Sequence, residues 1–355
     1  MGEGDRAQTI AIDAMGNDLG PEEIVEGLRL ALNSLPAEGR ETRFILFGDE
    51  DLLRPILSDA HLLDDRRIVI HPTTEVISMD DKPLVGLKKK TDASMVRAIE
   101  AVREGVANAV LSCGNTGALM AGGTLRIRPL GGVERPALAT IIPTRHTRFI
   151  LLDAGANPDA TAVQLCQNAI LGSHYARVVL GRERPKVGLL TIGTEEGKGG
   201  NRIKETHDYL KKIDDLIDYR GLIEGFQVFE DRVDVVVCDG FVGNIVLKVS
   251  ESLFKMLKGY LKDELAKNWL RQFGALLSVG AFNEIKRTLN PSQFGAAPLL
   301  GLRAPVLKAH GSSTRDSIAG AIHVALDTVR LDMTERIQED IRTMNERILP
   351  VEEEI

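Results

Sequence analysis

LSCGNTGALMA, residues 111–121, holds a strand end, a turn and a helix start in one short run. Ala109, Val110 and Leu111 have the apolar character of a buried strand. Ser112, Cys113 and Gly114 break it, and Asn115, Thr116 and Gly117 then open an apolar helical pattern. A small-residue loop at such a junction leaves backbone N–H groups unpaired and aims a helix dipole at whatever occupies the turn. Two readings stand. One is an anion site, most simply for phosphate. The other is an ordinary strand–helix turn capped by Asn115 or Thr116.

The alternation continues along the chain. Strands are predicted at residues 9–13, 44–47, 67–70, 109–111, 138–142, 149–152, 187–192 and 233–237, and helices at 21–32, 91–106, 159–180 and 204–213. Pro21 suits a first helical turn, and Asp159 reads as a helix opener after Pro158. Residues 241–289 form a long helical stretch with the only Trp, and a last helix is predicted from beyond Ser312 to about Ile348, before an acidic tail at 352–354. This pattern predicts an α/β fold, with ligands beyond the carboxyl ends of the strands.

Those ends carry DAMGND (13–18), SCGNTG (112–117), DAGAN (153–157), GTEEGKGGN (193–201), CDGFVGN (238–244) and, late in the chain, HGSST (310–314). Asp, Asn and Gly favour any single turn. Six such loops in one chain point to a shared cleft.

Composition bounds the function. A chain of 355 residues, 43% hydrophobic and 27% charged, is that of a soluble globular protein with one large α/β unit or two domains. The net charge of -7 argues against nucleic acid as the main partner, so an anionic substrate needs local positive potential. Cys113, Cys166 and Cys238 form no CxxC pair and no metal spacing, which suits a reducing compartment. MGEGDRAQ shows no signal peptide, Arg6 breaks a myristoylation motif, and no run reaches the roughly 20 apolar residues of a membrane span.

Standard motifs are missing. There is no usable GxGxxG, no HExxH and no GxSxG. Residues 193–199 imitate a P-loop but are one residue short, and Gly199 stands where Ser or Thr would hold magnesium. Cys113 reads either as an acyl-accepting thiolate or as a small residue filling a tight turn. His310 reads either as a general acid/base or as a hydrogen-bonded structural residue.

DAMGNDLGP (13–21), MDDKPLVGLKKKTDASM (79–95), SCGNTGALMA (112–121), DAGAN (153–157), GTEEGKGG (193–200), DGFVGN (239–244), GAAPLLGL (295–302) and KAHGSS (308–313), in this order, resemble the bacterial phosphate acyltransferase family. The match runs from about Ile10 to about Val329. The family pattern is DAMGGDHAP, so Asn17, Leu19 and Gly20 replace Gly, His and Ala, and Cys113 stands where the family has Ala. That speaks against a thiol nucleophile.

The resemblance implies attack by inorganic phosphate on the thioester of acyl–acyl carrier protein, giving acyl phosphate and free carrier protein, without a cofactor. It implies a three-layer α/β/α fold like that of isocitrate and isopropylmalate dehydrogenases and phosphotransacetylase. A cleft is expected between two intertwined subdomains over residues 9–330, followed by a C-terminal helix and tail over 331–355. It also implies a homodimer, cytoplasmic and peripherally bound to the inner face of the cell membrane, where a glycerol-3-phosphate acyltransferase takes the product for phospholipid synthesis.

Phosphate is itself a competent nucleophile and a thiolate leaves readily, so the site must mainly position phosphate and stabilise an oxyanion. By chemical type, Asn115, Thr116, Gly117, Ser312 and Ser313 are candidates to hold phosphate, with Lys198 as a point charge. Asn244 and Asn201 donate to the oxyanion or position Lys198. Asp13 and Asp239 orient Lys198 or His310, or accept a proton from phosphate. No metal site is expected.

Lys88, Lys89 and Lys90 read as a solvated face, or as a dock for the phosphopantetheine phosphate or an acidic carrier protein. Between 252 and 290, Leu253, Met256, Leu257, Tyr260 and Leu261 predict one buried helical face, and Trp269, Phe273, Leu276 and Leu277 crowd the tip of a helical hairpin. Seven Lys or Arg against three Asp or Glu there fit an interfacial membrane segment, or else a hairpin packed in a dimer or core. The competing functions are a phosphotransacetylase acting on acyl-CoA and a membrane-surface scaffold with a vestigial cleft.

Overall fold

The computed structural model describes residues 8–35, 41–193, 198–289, 295–330 and 334–348. The chain begins β1 (Thr9–Asp13), α1 (Pro21–Ser34), β2 (Arg43–Gly48), α2 (Glu50–Asp59), β3 (Ile68–Pro72), α3 (Pro83–Lys89), α4 (Ser94–Arg103), β4 (Ala109–Ser112) and α5 (Thr116–Gly122). It continues β5 (Ala137–Leu138), β6 (Thr140–Pro143), β7 (Arg148–Leu152), α6 (Ala162–Val179), β8 (Lys186–Thr191), α7 (Gly200–Lys211), β9 (Asp218–Glu224) and β10 (Val235–Val237). Last come α8 (Gly240–Ala266), α9 (Trp269–Leu277), α10 (Val279–Leu289), β11 (Ala296–Leu300), β12 (Val306–Ala309), α11 (Arg315–Arg330) and α12 (Thr334–Ile348).

Seven strands form one sheet in the order β3-β2-β1-β4-β12-β11-β5, and five form a second in the order β6-β7-β10-β8-β9. Both are mainly parallel; β11 runs antiparallel to β12 and β5, and β6 antiparallel to β7. The strand predicted at 138–142 is two strands. At Ala139 the N–H donates to Pro298 of the first sheet (3.0 Å), and from Thr140 the chain pairs with β7 of the second.

Side-chain alternation assigns the layers. Ile10 and Ile12 of β1 face α1 and α11 through Ile24, Leu28, Ile318 and Ile322. Ala11 faces the other way, into a core with Met95 and Ile99 of α4. In the second sheet, Ile150 and Leu152 pack with α6 and with Ile337, Ile341 and Met344 of α12. Phe149 and Leu151 point into the same core as Ala11, so one apolar core is continuous between the sheets.

Three expectations change. The long last helix is two helices, α11 and α12, each on a different sheet. Asp159 does not open α6: Thr161 caps it in a capping box with Gln164, because its hydroxyl reaches the third N–H of the helix. The arm predicted from 252 begins at Gly240, because α8 runs unbroken for 27 residues. Its predicted apolar face is exposed in the single chain, Met256 by 60% and Tyr260 by 67%, because none of the other described segments covers it. Asn290 and the acidic tail lie outside the described residues.

Helix α8 can leave the sheet only because Gly243 has no side chain. A Cβ there would overlap the Asp153 carbonyl oxygen and stand 3.1 Å from Cys238 Sγ. Gly243→Ala is therefore expected to cost about 2 kcal/mol or more of stability, read as a lowered thermal midpoint; an unchanged midpoint would show that α8 shifts without strain.

Candidate active site

The loop after β1 is built around Asp13, only 1% exposed. Ser94 and Ser112 donate their hydroxyls to its two carboxylate oxygens at 2.6 Å each, and the Met15 N–H adds a third bond. Ser112 Oγ also accepts the Gly114 N–H, so one acid ties β1, α4 and the 112–117 loop together. Burial raises the Asp13 pKa against the pull of these donors. Asp13 touches neither Lys198 nor His310, contrary to the sequence expectation, because its carboxylate oxygens are taken by Ser94, Ser112 and the Met15 N–H.

Asn115 is likewise committed. Its Oδ1 caps α5 by accepting the Ala118 N–H, and its amide nitrogen donates to the carbonyls of Ser78, Met79 and Asp81 at 3.1–3.2 Å. It fastens the 78–81 loop to the turn, and Thr116 and Gly117 form the surface. Cys113 is wholly buried. Burial pushes its thiol up to about 12, so no thiolate exists there at neutral pH.

Beyond β12 the HGSS turn folds on itself. Ser312 brings both its hydroxyl (2.9 Å) and its N–H (3.2 Å) to His310 Nδ1, and the Ser313 N–H donates to the His310 carbonyl. A backbone N–H on Nδ1 places the ring proton on Nε2. The amides expected to cradle phosphate thus close the turn, and what they present is an exposed imidazole N–H. Asn17 donates to the Ser313 carbonyl (2.9 Å) and the Asp18 N–H to the Gly311 carbonyl (2.8 Å), locking this turn to the one after β1.

The second sheet repeats the device. Asp153, fully buried, accepts the N–H groups of Leu138, Gly155, Ala156 and Asn157 at 2.6–3.0 Å. Burial raises its pKa against these four donors. Asp239 caps α8 through the Val242 N–H and pairs with Arg202 at 2.5 Å, not with Lys198 or His310. Arg202, in the first turn of α7, so joins the starts of α7 and α8. Asn244 stands over Gly155 and is exposed, as are Lys198 and Asn201.

Lys308 ties β12 to the loop after β4. Its ammonium donates to the Cys113 carbonyl (2.9 Å) and to the Ala309 carbonyl. Burial is the main reason its pKa lies below the lysine range, and the nearby charge of Lys248, one turn past Asn244 on α8, adds to it.

The predicted residues therefore sort into two sets. Asp13, Asn115, Asp239 and Ser313 are buried scaffold, 1–7% exposed. Thr116, Lys198, Asn201, Asn244, His310 and Ser312 are exposed at the strand ends. Asp153, Arg202 and Lys308 received no role from sequence. Asp153 repeats the strand-final Asp of Asp13, and Lys308 lies two residues before His310, on the same strand face. Among the described residues, no group of three His, Cys, Asp or Glu is placed to hold a metal. The raised thiol pKa gives a direct test. Folded protein at pH 8 is expected to resist iodoacetamide at Cys113 and to react quickly in urea, where the thiol returns to about 8.5; alkylation of the native thiol at the unfolded rate would contradict this burial.

Comparison with known proteins agrees with this architecture. Residues 8–336 match the family described as "Fatty acid synthesis protein". A phosphate acyltransferase of Thermoanaerobacterium thermosaccharolyticum is 39% identical over 339 residues, 96% of this chain and 98% of its own. One of Methylococcus capsulatus is 40% identical over 331 residues, 93% and 96% of the two chains. In fold, the chain is similar to a phosphotransacetylase from Streptococcus pyogenes, with a TM-score of 0.59 at 16% identity over 91% of this chain and 94% of that one. The α/β/α architecture is thus phosphotransacetylase-like, and the chain belongs to the phosphate acyltransferase family.

Proposed function

We propose that this phosphate acyltransferase moves the acyl group of acyl–acyl carrier protein onto inorganic phosphate, in the cleft between the two groups of strand-end loops. The carrying observation is the sorting of charge. The buried acids Asp13, Asp153 and Asp239 are already hydrogen-bonded or ion-paired within the scaffold, and the side chains exposed at the strand ends include Lys198, Asn244 and the His310 imidazole. An acidic protein thereby offers phosphate a local positive field.

In this reading Lys198 neutralises the incoming phosphate, with Thr116 and Ser312 fixing its orientation. A phosphate oxygen attacks the thioester carbonyl carbon. The oxyanion that develops accepts hydrogen bonds from Asn244 and from His310 Nε2, with Asn201 positioning Lys198. Collapse of the tetrahedral species breaks the C–S bond and releases the carrier thiolate, which at a parent pKa of about 8.5 leaves without a strong acid. Lys308 holds the Cys113 carbonyl and so fixes the turn that carries Thr116. The buried Cys113 thiol leaves direct attack by phosphate as the favoured route.

We further infer that α8 to α10 serve as an arm for assembly and membrane contact. Leu253, Met256, Leu257 and Tyr260 are exposed along α8, and Trp269, Phe273, Leu276 and Leu277 are 56–73% exposed beyond it. A second copy covering α8 would bury the first group in a homodimer. The second would enter the interface of an anionic membrane, where a membrane glycerol-3-phosphate acyltransferase could receive the acyl phosphate at the inner face of the cell membrane. Among the described residues, no helix is long and apolar enough to cross a membrane.

Two measurements test these readings. With acyl–acyl carrier protein, thiol release is expected to need phosphate and to yield a hydroxylamine-trappable acyl phosphate, with Lys198→Ala and Asn244→Ala each slower by about 10²-fold. Equal release without phosphate would identify a thioesterase, and equal turnover of acyl-CoA would move the reading to a phosphotransacetylase. The double variant Leu276→Glu and Leu277→Glu is expected to stop sedimenting with anionic vesicles while remaining dimeric and active in solution. Sedimentation like wild type would remove the tip as the anchor.

A further inference from the structure

A second basic site lies at the other end of the first sheet. Past α5 the chain makes a π-helical turn, Gly123–Ile127, and then Arg128 adopts φ 72°. This is left-handed backbone that an arginine occupies only under strain, and π-turns and strained residues gather at binding sites. Beside them opens a pocket of about 420 Å³ lined by Val102, Leu125 and Ile127 and by Arg103, Arg126, Arg128 and Arg303. Arg103 ends α4, and Arg303 precedes β12. The pocket therefore sits at the amino ends of β4 and β12, whereas the cleft lies past their carboxyl ends.

The four guanidinium groups are not equivalent. Arg126 and Arg103 flank the buried Glu100, Arg103 at 2.5 Å, and Arg103 also reaches Glu104 at 3.1 Å. Those two are charge-matched. Among the described residues no carboxylate pairs with Arg128 or Arg303. The Arg303 N–H donates to the Arg128 carbonyl at 3.0 Å and its Nε to the Pro129 carbonyl at 3.2 Å, which ties its backbone and side chain to the strained turn. Two unmatched guanidiniums from separate loops, above an apolar wall containing the exposed Leu125, form a fork for a compact, doubly charged anion.

We propose that this pocket binds a small phosphate-bearing anion, at a site separate from the cleft. The backbone strain at Arg128 holds one arm of the fork in place. At about 420 Å³ the pocket has room for a phosphate or diphosphate head with a short apolar group against Leu125 and Ile127. It does not depend on the function proposed for the cleft.

Pyrophosphate titrated calorimetrically into the full-length protein is the test, with Lys198→Ala reporting on the cleft. Pyrophosphate is expected to bind the Lys198→Ala protein saturably, and more weakly as salt rises. Binding to that background should fall about tenfold or more with Arg128→Gly, and again with Arg303→Ala. Because glycine takes positive φ without strain, Arg128→Gly should keep or raise the thermal midpoint while losing the anion. A merely structural Arg128 would give a lower midpoint and unchanged binding, which overturns the proposal. So would the absence of saturable binding to the Lys198→Ala protein, or release by these variants of an acidic carrier protein in place of pyrophosphate.

Discussion

Two buried carboxylates organise this protein. Asp13 and Asp153 end corresponding strands of the two sheets; Asp13 is held by the hydroxyls of Ser94 on α4 and Ser112 on β4 and by the Met15 N–H, and Asp153 by the Leu138 N–H and three N–H groups of the loop that follows it. A buried charge without partners is costly enough to unfold a domain locally. Each loop is therefore constrained to bring its hydroxyl or N–H groups to one point. The acid supplies the constraint, and the loop takes its shape from meeting it. The turns that carry Thr116 and that face Asn244 are placed in this way.

Electrostatic function follows from that arrangement. The acids nearest the cleft are consumed by local hydrogen bonds or by Arg202, so their charge is matched before any ligand arrives. Among the described residues, the exposed groups there include donors on first helical turns and on the HGSS turn, with the Asp18 carboxylate beside Gly311. The helix starts add positive potential in the same direction. The Lys308 ammonium, held by the Cys113 and Ala309 carbonyls, adds a fixed positive charge beneath these loops.

Helix α8 couples the cleft to the surface. Its first turn packs against the Asp153 loop through Gly240 and Gly243, where no side chain fits, and Asp239 caps it. The helix then runs outward and leaves its apolar residues exposed. Covering that face would bear on the orientation of Asn244 and Lys248 through one continuous rod. The exposed apolar residues and the contact with the Asp153 loop are thus two ends of a single element.

Sequence alone determined the α/β class and most of the parallel strands, and it picked out the Gly, Asn and Asp loops at their carboxyl ends. Strand periodicity and the Gly, Asn and Asp punctuation are local signals, and motif order carried the family resemblance. Trp269, Phe273, Leu276 and Leu277, singled out in the sequence as an apolar group, are exposed on α9. Partners distant in the chain were not legible. Asp13 was expected to serve Lys198 or His310 but is taken by Ser94 and Ser112, and Asp239 is taken by Arg202, because a carboxylate bonds whichever donor folding brings nearest. The split of residues 137–143 between two sheets, the separation of α11 from α12 and the role of Lys308 were settled only in three dimensions. Each depends on edges and cores formed by segments far apart in sequence, whereas propensity and spacing report only on neighbours along the chain.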